Sequence, residues 1–146
     1  MSDLLKLDQQ LCFRIYSISK TMNRLYAPLL KKLQLTYPQY LVMLALWEHK
    51  EAMTVSQLGQ TLDLDSGTLS PLLKRMENQS LLTRSRSLAD ERSVKIELTA
   101  HGKNIKKDAK HIPAKLFNLT GLSHQEMKAL RSGLDLLMAN IKTTEG

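Results

Sequence analysis

The sequence predicts a mainly α-helical fold carrying one small β wing, and three observations point there. Apolar residues recur at intervals of three and four over most of the 146-residue chain. Three Ser/Thr-x-x-Gln/Glu segments, at 36–39, 54–57 and 123–126, have the spacing with which a helix cap and the third residue of the first turn bond each other. The apolar period drops to two only around residues 82–98, where a hairpin is expected.

In chain order, Leu4, Leu7, Leu11, Ile15, Ile18, Met22 and Leu25 form one apolar stripe and predict an N-terminal helix that Pro28 ends or kinks. Thr36 starts the next helix with Pro38 in its first turn, and Tyr40, Leu41, Leu44 and Trp47 supply its buried face. Thr54 caps a short third helix ahead of Leu58 and Leu62. Leu69, Leu72, Leu73 and Met76 then turn one face inward and leave Thr68, Ser70, Lys74, Arg75 and Asn78 outside. This fourth helix starts either near Asp65, with Pro71 in its second turn, or at a Ser70 cap with Pro71 as its first residue.

Residues 82–86 and 94–98 alternate as two strands, joined by the polar stretch 87–92. Thr99 caps a further helix with Lys103, Lys106, Lys107 and Lys110 in solvent and Ile105, Ala109 and Ile112 inward; Pro113 interrupts it and Gly121 ends the segment. Ser123 opens the last helix, whose stripe is Met127, Leu130, Leu134, Leu137 and Ile141. Helix, helix, short helix, helix and hairpin is the order of a winged helix-turn-helix. We expect a single domain over 1–146, with the DNA-binding region at 37–99 and N- and C-terminal dimerisation helices at 1–36 and 100–146. The first and the last two helices carry apolar stripes that a small winged module cannot cover alone.

Charge and composition narrow the function. With 42% hydrophobic residues the chain can bury a core, and its net charge of +7 asks for an anionic partner, nucleic acid first. Lys74, Arg75, Arg84, Arg86 and Arg92 cluster on the fourth helix and the hairpin, the two elements that face DNA in such a fold. The alternating charges of the N-terminus and the absence of a long apolar run argue against a signal peptide and a membrane span. A free thiol without an export signal points to the cytoplasm. His49, His101, His111 and His124 lack metal-ligand spacing, and the glycines form no phosphate loop, so neither a metal nor a cofactor is expected.

Cys12 is the only cysteine and cannot form a disulfide within the chain. It is a small packed residue, a residue of no consequence, or a reactive thiol whose partner comes from outside. On a helical wheel it lies roughly 100° from the centre of the Leu11, Ile15 and Ile18 stripe, with Tyr16 nearer to it.

Residues 90–94 (Asp-Glu-Arg-Ser-Val), followed by Leu98, Thr99 and Gly102, resemble the wing signature of MarR-type repressors. Residues 65–75 resemble their recognition helix. The segment Gln10-Leu11-Cys12-Phe13, with Tyr16, Tyr26 and the run Leu35 to Tyr40, is similar to the organic hydroperoxide resistance repressors, OhrR, and the resemblance covers essentially the whole chain.

The resemblance implies a homodimer, joined through its terminal helices, that binds a pseudopalindromic double-stranded DNA operator. The helix bearing Ser66, Thr68, Ser70, Lys74 and Arg75 would read the major groove. Arg84 and Arg86 would lie along the wing, Arg92 at its tip would enter the minor groove, and Asp90 would orient the wing through an arginine partner. Cys12 would be the redox-sensing thiol, hydrogen-bonded by Tyr26 and Tyr37 of the partner subunit, with Tyr16 beside it. Phenolic donors favour the thiolate that attacks an organic hydroperoxide, and Leu11, Phe13, Leu41 and Trp47 would make its surroundings apolar. The resulting sulfenic acid would shift the dimer and end repression.

Two-cysteine members resolve that sulfenate with a cysteine of the other subunit, which this chain lacks. It is therefore of the one-cysteine type, its sulfenate left to a low-molecular-weight thiol, to a backbone nitrogen or to overoxidation. A MarR-type regulator answering to a small phenolic ligand, with Cys12 merely packed, is the alternative. A Cys12 peroxidase would need a resolving group and transition-state donors, for which only Arg14 lies near, and a dimeric module that binds no DNA is a third rival.

Overall fold

The computed structural model describes residues 4–86 and 94–145. The chain divides into two compact units, residues 1–112 and 113–146. The first holds α1 (Leu11–Lys31), α2 (Tyr37–Glu48), β1 (Met53–Thr54), α3 (Val55–Leu62), α4 (Ser66–Asn78), β2 (Leu82–Ser85), β3 (Lys95–Leu98), α5 (Ala100–Asn104) and α6 (Lys106–Ala109). Next come α7 (Ile112–Thr120) and α8 (His124–Glu145). The strands form one antiparallel sheet in the order β1-β3-β2, with Met53 opposite Ile96 and Leu82 opposite Leu98. The fold is mainly helical with a small wing, as expected.

The capping signals act as the sequence predicts. The Thr36 side chain accepts from Gln39 N while Gln39 Oε1 accepts from Thr36 N, and Thr54 and Gln57 repeat the exchange at α3. Thr99 Oγ1 likewise accepts from Gly102 N at the start of α5. Each cap satisfies a first-turn N–H that the helix itself cannot.

Several details differ from expectation. The N-terminal stripe is not one helix: Leu7–Gln9 form a 3₁₀ turn, Gln10 is extended, and α1 begins only at Leu11. Pro28 does not end α1, which continues to Lys31. The buried residues of α2 are Gln39, Tyr40, Val42, Met43, Ala45 and Leu46, while Leu41 and Trp47 are half-buried and Leu44 is exposed. A helix apolar on every side goes to the centre of the core, so spacing alone selects no face. Between Thr99 and Ile112 the helix breaks at Ile105, where Asp108 N bonds back three residues to the Ile105 carbonyl. Pro113 sits in the first turn of α7, where its missing N–H costs nothing, rather than breaking a helix.

Met43, Leu58, Leu69, Leu73, Met76, Leu82 and Ile96 are fully buried and join α2, α3, α4 and the sheet in one core. Trp47 Nε1 donates to the Gly102 carbonyl at 2.9 Å and ties α2 to α5. A Cβ on Gly102 would run into the Leu81 carbonyl oxygen and lie 3.1 Å from Leu98 Cδ2, so this approach requires glycine.

In the second unit, Ser123 Oγ accepts from Glu126 N and Glu126 Oε1 from Ser123 N, the capping box expected for α8. That backbone N–H holds the Glu126 carboxyl below the usual range. Gly121, at φ 69°, supplies the left-handed turn before it. Leu130, Leu134, Leu136, Met138 and Ile141 of α8 are exposed. Among the described residues, no helix is long and apolar enough to cross a membrane.

Candidate DNA-reading face and thiol site

The α3–α4 turn sets the DNA-reading face. Asp63 adopts left-handed backbone (φ 56°), and Leu64 N donates to the Gly59 carbonyl at 2.9 Å. Asp65 then caps α4, its Oδ1 accepting from Thr68 N at 2.7 Å, and that N–H holds the carboxyl below its usual range. The open choice over Pro71 is thus settled: α4 starts at Ser66 and carries Pro71 inside it, which withdraws the helical donor from the Gly67 carbonyl. Leu69, Leu72, Leu73 and Met76 are buried, and Ser66, Thr68, Ser70, Lys74 and Arg75 are all exposed along the opposite face.

The wing is anchored to the same helix. Glu77 Oε2 accepts from Arg84 N at 2.9 Å, while Arg84 Nε and Nη2 reach Glu77 Oε1 at 3.2 and 3.1 Å. The Arg84 N–H is the chief cause of the lowered Glu77 pKa, with the guanidinium adding to it. Arg84 is therefore engaged at the root of the wing, and Arg86 lies exposed just beyond β2. Asp90 and Arg92 lie outside the described residues.

Cys12 is exposed in the first turn of α1. The N-cap residue Gln10 makes no side-chain cap there, because its amide turns back to the Leu4 and Lys6 carbonyls. Tyr16, one turn on, is exposed, with Lys20 Nζ 4.9 Å from its ring centre. Leu11 and Ile18 on the same helix are each 59% exposed.

Tyr26 and Tyr37 are brought together with their ring centres 4.7 Å apart, and a third ring, Tyr40, lies 5.7 Å from the first and 6.4 Å from the second. Burial, with the two neighbouring phenols adding to it, pushes the Tyr26 pKa up to about 12. Burial raises Tyr37 and Tyr40 too. These phenols stay protonated and remain donors. The pair does not meet Cys12 of its own chain: fourteen residues separate Cys12 from Tyr26 along the uninterrupted α1, a rise of about 21 Å.

The ring contacts of Tyr40 and the pairing of Glu77 with Arg84 go beyond what the sequence predicts. The Tyr-x-x-Tyr spacing of 37 and 40 on one helix face was the available signal for the first. Neither contact to Tyr26 nor the Glu77 pairing has a local signature.

A capped helix with an exposed polar and basic face, braced by a shorter helix and followed by an anchored wing, defines a DNA-binding transcriptional regulator. The family model for the transcriptional regulator SarA/Rot matches residues 24–109. The organic hydroperoxide resistance transcriptional regulator of Bacillus subtilis is 50% identical over 139 residues, covering 95% of this chain and 94% of that protein. Reduced AbfR bound to DNA has a TM-score of 0.82 at 31% identity, with 99% of this chain and 98% of that one covered. Disulfide-formed AbfR has a TM-score of 0.62 at 33% identity, covering 94% and 96%. The chain belongs to the MarR family of transcriptional regulators, in its organic hydroperoxide resistance (OhrR) branch.

Proposed function

We propose that the chain is a homodimeric, cytoplasmic repressor that holds a pseudopalindromic operator while Cys12 is reduced and leaves it when an organic hydroperoxide oxidises Cys12. The observation that carries this reading is the separation of the thiol from its donors. Cys12 and Tyr16 stand exposed at one end of α1, and the Tyr26–Tyr37 pair lies about 21 Å along it. Two copies packed antiparallel through α1 bring each thiol to the other's phenols. The exposed Leu11, Ile15 and Ile18 of α1 and Leu130, Leu134 and Ile141 of α8 supply the apolar surface that such a dimer covers.

The thiolate attacks the terminal oxygen of the hydroperoxide, the O–O bond breaks, and the alkoxide leaves and takes up a proton as an alcohol. Cys12 becomes a sulfenic acid. The chain offers no second cysteine. A low-molecular-weight thiol then condenses with the sulfenate, giving a mixed disulfide and water. Either product is bulkier than the thiol and breaks its fit against the paired tyrosines, which changes the spacing of the two recognition helices.

On DNA, Ser66, Thr68, Ser70, Lys74 and Arg75 face the major groove, and Arg86, with Asp90 and Arg92, serves the wing contact. Arg84, held by Glu77, positions the wing. In the deciding experiment, Cys12→Ser binds operator as wild type does and stays bound in cumene hydroperoxide. Release of that variant at the wild-type peroxide dose refutes the reading and favours a ligand-sensing regulator.

A further inference from the structure

Among the described residues, Gln39 is the one buried polar side chain, 5% exposed. Its Oε1 closes the α2 capping box by accepting from Thr36 N, and its Nε2 donates to Gln79 Oε1 at 3.0 Å. Gln79 is the C-cap residue of the recognition helix α4, and its own Nε2 donates to the Gln34 carbonyl at 3.3 Å. Gln34 (φ 57°) and Ser80 (φ 61°) are the left-handed residues that close α1 and α4, each followed by an N–H that bonds back into its own helix, Leu35 to the Leu30 carbonyl and Leu81 to the Met76 carbonyl. Ser80 in turn accepts through its carbonyl from Thr99 Oγ1.

Tyr37 occupies the first position of α2, between Thr36 and Gln39, so the capping box that fixes this turn also fixes where the Tyr37 ring stands. The bond that leaves the box ends on the last turn of the helix that reads DNA. An apolar residue would fill the Gln39 site without a desolvation penalty, which makes a paired amide there a device for specifying one arrangement.

We propose that Gln39 and Gln79 are positioning residues that carry the state of the Cys12–Tyr37 contact to the recognition helix. The inference rests on the sensing role given to Cys12. When oxidised Cys12 displaces Tyr37, the first turn of α2 shifts, and the Gln39–Gln79 bond draws the C-terminal end of α4 with it.

The test compares full-length wild type, Gln79→Ala and Gln79→Glu, each reduced and each converted by tert-butyl hydroperoxide and free cysteine to the Cys12 mixed disulfide. The readout is the ratio of operator Kd in the oxidised form to that in the reduced form, a quantity that uniform loss of fold or affinity leaves unchanged. In Gln79→Ala the ratio falls roughly fivefold, the scale on which residues along a coupling network act. Gln79→Glu keeps the acceptor for Gln39 Nε2 and restores the ratio. A wild-type ratio in Gln79→Ala, with wild type itself released on oxidation, overturns the relay alone. Wild type that keeps its operator when Cys12 is oxidised overturns the sensing role and the relay together.

Discussion

If the thiol and its phenolic donors belong to different subunits, two defective chains should repair each other. Chain one carries Cys12→Ser with both tyrosines intact, and chain two carries Tyr26→Phe and Tyr37→Phe with Cys12 intact. Along α1 the thiol and Tyr26 of one chain are about 21 Å apart, several times any hydrogen-bond length, so no side-chain rotation joins them within a subunit. An unassisted cysteine is only a few per cent thiolate at neutral pH, and donors that ionise it fully raise the attack rate by at most on the order of thirtyfold. The Phe homodimer should therefore lose cumene hydroperoxide reactivity by roughly ten- to thirtyfold. In the mixed dimer the one Cys12 present faces the intact tyrosines of the Cys12→Ser chain and reacts at the wild-type rate. Differently tagged chains, co-refolded and purified as the mixed species, report this by intact-protein mass against time. A mixed dimer as slow as the Phe homodimer would refute the shared site.

Other outcomes follow from the same geometry. Gly102→Ala forces a methyl group against the Leu81 carbonyl and should cost about 1–3 kcal/mol, read as a lower urea midpoint at unchanged slope. Tyr26 holds its proton up to about pH 12 in the fold against an ordinary value of 10.0. Stability from the tyrosine cluster is thus complete below pH 10 and is lost as the pH rises from there towards 12. Near-ultraviolet tyrosinate absorbance should show Tyr26 titrating above the ordinary value of 10.0, a delay that disappears if the cluster does not form. Lys74→Ala and Arg75→Ala should each remove one cation from the DNA-facing helix, weaken operator binding and lower the slope of log affinity against log salt by about 1.

The parts of this fold that were legible in the sequence are those that one turn of chain decides. The Thr36, Thr54 and Ser123 capping boxes and the inward face of α4 follow from spacing alone, because cap and first turn are covalent neighbours. The strand β1 was not legible: two residues carry no period, and Met53 becomes strand only by pairing with Ile96. The α2 face failed for the opposite reason, since apolar residues on all sides give no direction. At the candidate site, Cys12, Tyr26 and Tyr37 were found through the family likeness rather than through chemistry visible in the segment. Gln39 shows the limit of local reading most clearly. Its capping role is written at 36–39, while its bond to Gln79 spans forty residues and exists only once the core has formed.

The central claim is that chemistry at Cys12 and loss of the operator are one event. Titrating operator-bound protein with substoichiometric cumene hydroperoxide, while following intact-protein mass and DNA anisotropy in the same samples, tests it directly. The account predicts that operator loss tracks the fraction of dimers that have gained an oxygen atom, or the mixed disulfide when cysteine is present, at Cys12. Operator released while Cys12 remains a thiol, or Cys12 fully oxidised on protein that keeps its DNA, would contradict it.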